Sequence, residues 1–471
     1  MIRIVLNNNK GKLEGELVKL NKIRNELKVK HPNAFHIRSH MPKGWDGCVY
    51  YITEAAYFKT GLFPAVVAKI EELGYSWELR DLRVLPTYIG VPEEVSGTSL
   101  RGYQYEAVKA LVENTVGEVE FPVGVINAAT NAGKTYMLFG VHLSFRDNVS
   151  IILLNNTALY DQFIKDMPKV FADGEWGCMK GKDIRWGSKI NVVMVQTLIN
   201  NLQRYREELN DVSTVIIDEC DLGTSKTYRK CIEALYNAPI RVGLSGTVFM
   251  SKLKKDELKH LELHSFMGYE VFIIKNHELI DMGISTKPII KIIQAPNRPS
   301  YPDYPTEYRY NITLNEDRHQ IVYERVIFNL KHGRKPMLVV AIFHEHVENL
   351  YKFMKDKLAE NKISCKFIHH EVKDRAKIIE KFRKGKLDVL ITSMIIKRGQ
   401  NMPLIKYICN AGGGDSAANV LQVLGRGLRT SETKNRIYLD DIYDSGKYLQ
   451  RHSKHRVNYY KNEQIKVIKK F

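Results

Sequence analysis

The sequence predicts an α/β chain, with two tandem parallel-sheet domains behind a small α+β N-terminal domain. Three observations lead there. Short, continuous runs of apolar and β-branched residues alternate with helix-like stretches, the signature of strands buried on both faces of a parallel sheet. That series of runs occurs twice, without any short tandem repeat. The 471 residues leave room for about three domains at roughly 150 residues each. Apolar residues are 44% and charged residues 26% of the chain, ordinary globular usage that argues against disordered or fibrous classes.

Taken in order, residues 1–95 mix short alternating runs with turn signals. The turn-rich Pro42-Lys43-Gly44-Trp45-Asp46-Gly47 leads into the apolar run Cys48–Ile52, which reads as a strand or hairpin. Phe63 to Leu73 reads as a helix, and Val91 to Thr98 as a linker. Residues 96–285 form the first parallel-sheet domain, with strands expected at Gly124–Ile126, Ser150–Leu154, Asn191–Val195 and Thr214–Ile217. Residues 286–471 form the second, with strands at Met337–Val340, Cys365–Ile368, Asp388–Ile391, Tyr407–Asn410 and Arg436–Leu439. The Pro- and Tyr-rich segment Asn297 to Tyr310 reads as a loop. The tail from Ser445 to Phe471 is basic and aromatic, with a helix-like close.

Charge supplies the first functional pointer. Lys and Arg number 71 against 53 acids, a net +18. Residues 1–95 carry 14 basic and 11 acidic residues, residues 96–285 carry 21 and 23, and residues 286–471 carry 36 and 19. An excess concentrated in the last third favours a polyanionic partner, most often nucleic acid. The six cysteines include no CxxC pair, which fits a reducing compartment and argues against a disulfide framework or a zinc site. No apolar run approaches the ~20 residues of a membrane span, and no apolar h-region opens the chain.

Four motifs carry chemistry. Ala128-Ala129-Thr130-Asn131-Ala132-Gly133-Lys134-Thr135 follows a strand and precedes a helix-like stretch. It reads as a phosphate-binding loop in which Ala128 replaces the first Gly of GxxxxGK[ST]. Backbone N–H groups of Thr130 to Gly133 and the helix N-terminus would cradle phosphates. Lys134 would supply charge to the β/γ-phosphates of ATP, and the Thr135 hydroxyl would ligate Mg²⁺. Asp218-Glu219-Cys220-Asp221 follows the Thr214–Ile217 strand. Carboxylates at the end of a buried strand are costly unless they work. Asp218 would hold Mg²⁺, directly or through water, and Glu219 would orient and deprotonate the attacking water. Cys220 reads as a small space-filler. Ser245 and Thr247, in Leu244-Ser245-Gly246-Thr247, can hydrogen-bond the acidic box and relay nucleotide state. In Gln422-Val423-Leu424-Gly425-Arg426-Gly427-Leu428-Arg429, Gln422, Gly425, Arg426 and Arg429 match QxxGRxxR. Arg426 and Arg429, at i and i+3, lie on one helix face and suit a transferring phosphoryl group.

In this order, over roughly residues 98 to 445, the motifs resemble those of superfamily 2 helicases and translocases. The resemblance implies two RecA-like domains with ATP held in the cleft between them, and arginine fingers at Arg426 and Arg429. Arg101 and Gln104, in Leu100-Arg101-Gly102-Tyr103-Gln104, match the adenine-reading element. Thr157, in Asn156-Thr157-Ala158-Leu159, and Gln196 and Thr197, in Val195-Gln196-Thr197-Leu198, match DNA-contacting motifs of the first domain. Thr392 and Gly399 fall in a stretch similar to motif V (Ile391-Thr392-Ser393 and Lys397-Arg398-Gly399), and Phe343 to Glu345 sits at motif IV. The boxes DECD, SGT and QVLGRGLR depart from the DEAD-box RNA helicases. Gly44-Trp45-Asp46-Gly47, Gly61-Leu62-Phe63-Pro64 and the short N-terminal domain look similar to phage UvsW-like branch-migrating helicases. The Asp440-Asp441-Ile442-Tyr443-Asp444 stretch and the basic tail, with His452, Ser453 and Arg456, fit the same DNA-directed group.

The reading is an ATP- and Mg²⁺-dependent DNA translocase on forked or branched duplexes. It is expected in the cytoplasm (the host's, if phage-encoded), without a membrane and with nothing that requires more than one copy. The N-terminal domain is expected to recognise the junction, with Trp45 either stacking on an unpaired base or packing into its own domain's core. Two alternatives stay open: an RNA helicase of the same superfamily, and a non-motor ATP-gated clamp. His369-His370-Glu371 reads as a solvent-side loop beginning a helix, Gly412-Gly413-Gly414 as a flexible loop after a strand, and Lys381 to Lys386 as a solvated helix end.

Overall fold

The computed structural model describes residues 1–246, 254–393, 404–415 and 436–470. By packing, the chain divides into two compact units. One comprises Met1–Ala129 and Gly133–Ile274, the other Thr130–Ala132 and Lys275–Phe471.

The first unit opens with a four-stranded sheet of β1 (Ile2–Leu6), β2 (Lys10–Glu14), β3 (Tyr57–Lys59) and β4 (Trp77–Asp81), in the order β3-β2-β1-β4. Ile2, Ile4 and Leu6 are all buried, the two-residue period of a strand covered on one face. Their cover includes Ile23 from the helix Leu17–Glu26 and Phe63, Val66, Val67 and Ile70 from the helix Phe63–Glu72. This core does not stop at residue 95, because Phe121 and Val123 belong to it. Gly61 marks another join: a β-carbon there would strike the His264 carbonyl in the helix Lys254–Met267, so the two backbones touch. The Cys48–Tyr50 run is a strand, paired antiparallel with Lys28–Lys30. The stretch read as a linker contains a minimal hairpin, Glu94–Val95 with Thr98–Ser99.

The same unit holds an eight-stranded sheet. Its strands are β5 (Val123–Ala128), β6 (Ser150–Leu154), β7 (Trp176–Lys180), β8 (Asp183–Arg185), β9 (Ile190–Met194), β10 (Thr214–Asp218), β11 (Ile240–Ser245) and β12 (Glu270–Ile274). The order is β8-β7-β9-β6-β10-β11-β5-β12, parallel except for the β7–β8 hairpin. β6, β9, β10 and β11 are buried along their whole length, which is why their sequences are dominated by apolar residues.

The second unit has a seven-stranded, all-parallel sheet: β13 (Lys287–Gln294), β14 (Met337–Val340), β15 (Cys365–Ile368), β16 (Val389–Thr392), β17 (Tyr407–Asn410), β18 (Arg436–Tyr443) and β19 (Val467–Lys470). The order is β15-β16-β14-β17-β18-β13-β19. Two expectations are corrected here. The Pro- and Tyr-rich segment contains a short helix, Tyr304–Tyr308. The chain's close is the edge strand β19, which follows the helix Lys447–Asn462.

The acidic stretch at the end of β18 is internal. Asp444 takes Arg318 in two bonds, from Nε at 2.7 Å and from Nη2 at 3.0 Å. Asp440 takes Arg325 Nε at 2.7 Å, and Asp441 takes Arg456 Nη2 at 2.9 Å and the Tyr460 hydroxyl. These pairs fasten the helices Glu316–Lys331 and Lys447–Asn462 to the sheet. Arg318 and Arg456 also donate to the carbonyls of Ala411 and Gly414, so the glycine loop read as flexible is pinned by two buried guanidiniums.

Arg456→Met should therefore strand the Asp441 charge. We expect a loss of about 3–5 kcal/mol in urea denaturation, the usual cost of halving a buried pair. A loss below about 1 kcal/mol, typical of an exposed pair, would show that the bond is not needed.

Candidate nucleotide site and nucleic-acid face

The phosphate loop leaves the carboxyl end of β5 and enters the helix Lys134–Leu143. Ala128, at the place of the family's first glycine, is the last residue of β5 and has no positive φ, so a β-carbon is tolerated there. The left-handed positions lie further on, at Asn131 (φ 83°) and Gly133 (φ 76°). Left-handed positions are what an anion nest uses to turn N–H groups to one side, and this loop runs directly into a helix N-terminus. Lys134 and Thr135 are half-buried at the start of that helix, and Ala132 is buried.

Gln104 lies against this loop. It is buried on the first turn of the helix Gly102–Val112, and its Oε1 accepts the Arg101 N–H at 2.9 Å. A β-carbon on Gly133 would collide with the Gln104 amide nitrogen, so the two segments meet as closely as glycine allows. Arg101 is exposed, with Nη1 on the Tyr103 hydroxyl at 3.2 Å.

The acidic box sits at the end of β10. Asp218 is buried and accepts the Glu219 N–H at 3.0 Å. Glu219 has a positive φ of 57°, which turns the chain sharply out of the strand. Ser245, at the end of β11, directs its hydroxyl to Asp221 Oδ1 at 3.4 Å. The contact of the serine with the acidic box runs through Asp221, an acid to which the sequence motifs assign no role. Cys220 is buried, and Gly243 faces its sulfur. Burial, then Asp221, Glu219 and Asp218, push its thiol well above the usual range, while Lys134 opposes them. Buried with its thiol held protonated, Cys220 fits a space-filling role.

Thr157 opens the helix Thr157–Asp166 and is exposed, after an Asn156 side chain that caps the N–H of Ala158 at 2.8 Å. Gln196 is exposed on the short helix Val195–Leu198. The Thr197 hydroxyl accepts the Gly181 N–H at 2.9 Å and so braces the β7–β8 hairpin. Thr392 is fully buried, and its hydroxyl donates to the Ser393 carbonyl at 2.8 Å, which takes it out of reach of a backbone phosphate. Trp45 is half-buried outside the N-terminal core, its indole N–H on the Cys48 carbonyl at 2.8 Å and its ring edge-on to His31. The fully presented aromatic nearby is Phe35, 89% exposed, a residue that no motif in the sequence marks. Thr247, Gly399, Gln422, Arg426 and Arg429 lie outside the described residues.

Two family models match in tandem. The type III restriction enzyme res subunit covers residues 97–250, and the helicase conserved C-terminal domain covers residues 319–431. The chain belongs to the superfamily 2 helicases. It is similar to the putative ATP-dependent helicase IRC3 of Saccharomyces cerevisiae, 25% identical over 74% of this chain and 52% of that protein. It spans about half that relative's length. It is 24% identical to the DNA 3'-5' translocase XPB2 of Sulfurisphaera tokodaii, over 71% of this chain and 79% of the relative. Among solved structures, S. cerevisiae Dbp5 bound to RNA and ADP BeF3 aligns with a TM-score of 0.55 at 15% identity, over 79% of this chain and 90% of that one, a likeness of fold. Phage T4 UvsW aligns over 100% of this chain and 99% of its own, at 16% identity and a TM-score of 0.44. The two helicase family models fit the tandem parallel-sheet domains of the RecA-like fold and imply nucleotide binding. No helix among the described residues is long and apolar enough to cross a membrane.

Gly133→Ala should weaken ATP binding roughly tenfold or more. The left-handed backbone alone costs a side chain about 1–3 kcal/mol, and each 1.4 kcal/mol is about a factor of ten. Fluorescent-nucleotide titration measures this, and parental affinity would show that the Gln104 contact yields without consequence.

Proposed function

We propose that this helicase is an ATP-dependent DNA translocase that remodels forked or branched duplexes. The observation that carries the reading is the union of a nucleotide site in the first domain with a basic excess of 36 over 19 residues in positions 286–471. Contacts to phosphates give affinity without sequence preference, which suits a motor. The similarity to a DNA 3'-5' translocase supports DNA over RNA.

In this reading the nest of Asn131 and Gly133 receives the phosphates, and Lys134 adds charge at the β/γ position. Thr135 and Asp218 are the residues that would hold Mg²⁺, a hard cation that takes oxygen ligands. When bound, that ion neutralises charge on the phosphate oxygens. Glu219 takes the proton of the attacking water. Ser245, through Asp221, links the end of β11 to the acidic box. Thr157 and Gln196 are the exposed groups available to a DNA backbone.

Junction recognition falls to the N-terminal segment. Within residues 28–50, Lys28, Lys30, Arg38 and Lys43 stand against Asp46 alone, and Phe35 and Trp45 lie among them. Because the N-terminal core is shared with Phe121 and Val123, substitution tests this role more cleanly than deletion of residues 1–95.

The reading is tested by ATPase stimulation with DNA and RNA of matched sequence, and by displacement of a third strand from a triplex. DNA should stimulate more strongly, and the triplex strand should be released. Stronger stimulation by RNA would favour the RNA-helicase alternative, and an intact triplex the non-motor clamp. Glu219→Gln should cut hydrolysis at least about a hundredfold, as loss of a positioned base does, while nucleotide still binds. Parental turnover would remove Glu219 from its role. Phe35→Ala combined with Trp45→Ala should slow unwinding of forked and four-way DNA about fivefold or more, since base stacking contributes about 1–3 kcal/mol. ATPase on linear DNA should stay unchanged. Equal unwinding of branched substrates would end the junction assignment.

A further inference from the structure

The sheet of the second unit brings three histidines together. His344 begins the helix His344–Glu360 that follows β14, and His369 and His370 follow β15 directly. β14 and β15 flank β16, so both segments emerge at the carboxyl edge of one parallel sheet. That edge is where such sheets place their ligands. His370 Nδ1 lies 2.7 Å from His344 Nε2, and the rings of His344 and His369 stack with centroids 4.8 Å apart. One potential ligand atom from each of the three falls within 4.8 Å of the others. Sequence reading set His369-His370-Glu371 aside as a loop leading into a helix. The loop is there, before the helix Arg375–Arg383, but the fold adds His344 to it.

Carboxylates surround the group. Glu348, one turn beyond His344, sits with Oε1 3.0 Å from His369 Nε2. A carboxylate on the outer nitrogen of an imidazole fixes its tautomer and raises the basicity of the other nitrogen, as around metal-bound histidines. The Glu371 N–H lies 3.3 Å from His369 Nδ1, consistent with a lone pair there. The Glu371 carboxylate is 3.6 Å from His370 Nε2 and 4.0 Å from His369 Nδ1.

We propose that His344, His369 and His370, with the Glu371 carboxylate close by, form a binding site for one divalent transition-metal ion of the Zn²⁺ type. Imidazole donors with a carboxylate suit Zn²⁺, Cu²⁺ or Ni²⁺, whereas Mg²⁺ and Ca²⁺ prefer oxygen. Zn–N bonds of about 2.0–2.1 Å in a tetrahedron separate two nitrogens by about 3.3 Å. The His344–His370 pair must therefore open by about half an ångström, and His370 is exposed enough to do so. The ion would replace the proton those two nitrogens share and join the segments after β14 and β15. These residues are distinct from Thr135 and Asp218, so the site does not depend on the nucleotide reading.

The test uses the full chain, stripped with chelator and free of nucleotide. Zn²⁺ is titrated against a chromophoric chelator, and Co²⁺ is followed by absorption. We expect one equivalent of Zn²⁺, a Co²⁺ spectrum of nitrogen and oxygen ligation, and a rise in unfolding temperature on adding Zn²⁺. His370→Ala, at an exposed position that does not threaten folding, should lower the affinity at least about tenfold and abolish the thermal rise. Glu348→Gln should also weaken binding, by about 10–100-fold as second-layer partners do. Parental affinity in His370→Ala would overturn the proposal. So would thiolate charge-transfer bands that place the ion on cysteine, or a parent that binds no Zn²⁺ and binds inorganic phosphate through the same histidines.

Discussion

Burial of parallel strands on both faces is the constraint from which the rest of this structure follows. A strand such as Thr214–Asp218, covered above and below, has no room for a working polar group until it ends. Polar side chains therefore gather where strands stop. In the first unit the carboxyl ends of β5, β10 and β11 present the phosphate loop, the acidic box and Ser245. In the second unit the ends of β14 and β15 present His344, His369 and His370. The same rule yields a candidate nucleotide site on one sheet and a histidine cluster on the other because only the residues at the ends differ.

Charge in the second unit divides between two uses. Arg318, Arg325 and Arg456 are turned inward against Asp444, Asp440 and Asp441. Arg318 and Arg456 each spend several donors on carboxylate and carbonyl oxygens, the condition under which a buried pair is tolerated. Each pair joins one base to one acid, so the net basic excess of residues 286–471 is carried by other side chains. Lysines on exposed helix ends, such as Lys381 and Lys384, remain on the surface. The acids and Arg456 that suggest a DNA-directed family at the level of sequence act here as fasteners of the helices Glu316–Lys331 and Lys447–Asn462.

Close approach fixes the nucleotide site. Gln104 touches Gly133 at a distance that only glycine permits, which ties the helix Gly102–Val112 to the candidate phosphate loop. Ser245 reaches the acidic box through Asp221. The loop's missing first glycine has little structural consequence, because Ala128 still lies in the strand and the left-handed turns fall at Asn131 and Gly133.

The sequence by itself determined the repeated strand runs and the α/β class, and it marked the candidate phosphate loop and acidic box. These are local: strand burial is written in consecutive apolar residues, and phosphate binding in a handful of neighbouring positions. Tertiary structure decided which distant segments meet. Strand order placed β14 and β15 on either side of β16 and so carried His344 to His369 and His370. It turned Asp440, Asp441 and Asp444 onto buried arginines, withdrew the Thr392 hydroxyl into the sheet, and joined the core of residues 1–95 to Phe121 and Val123. Periodicity reports which face of an element is covered. It carries no information on which other element covers it, because that depends on crossover connections made across the whole sheet.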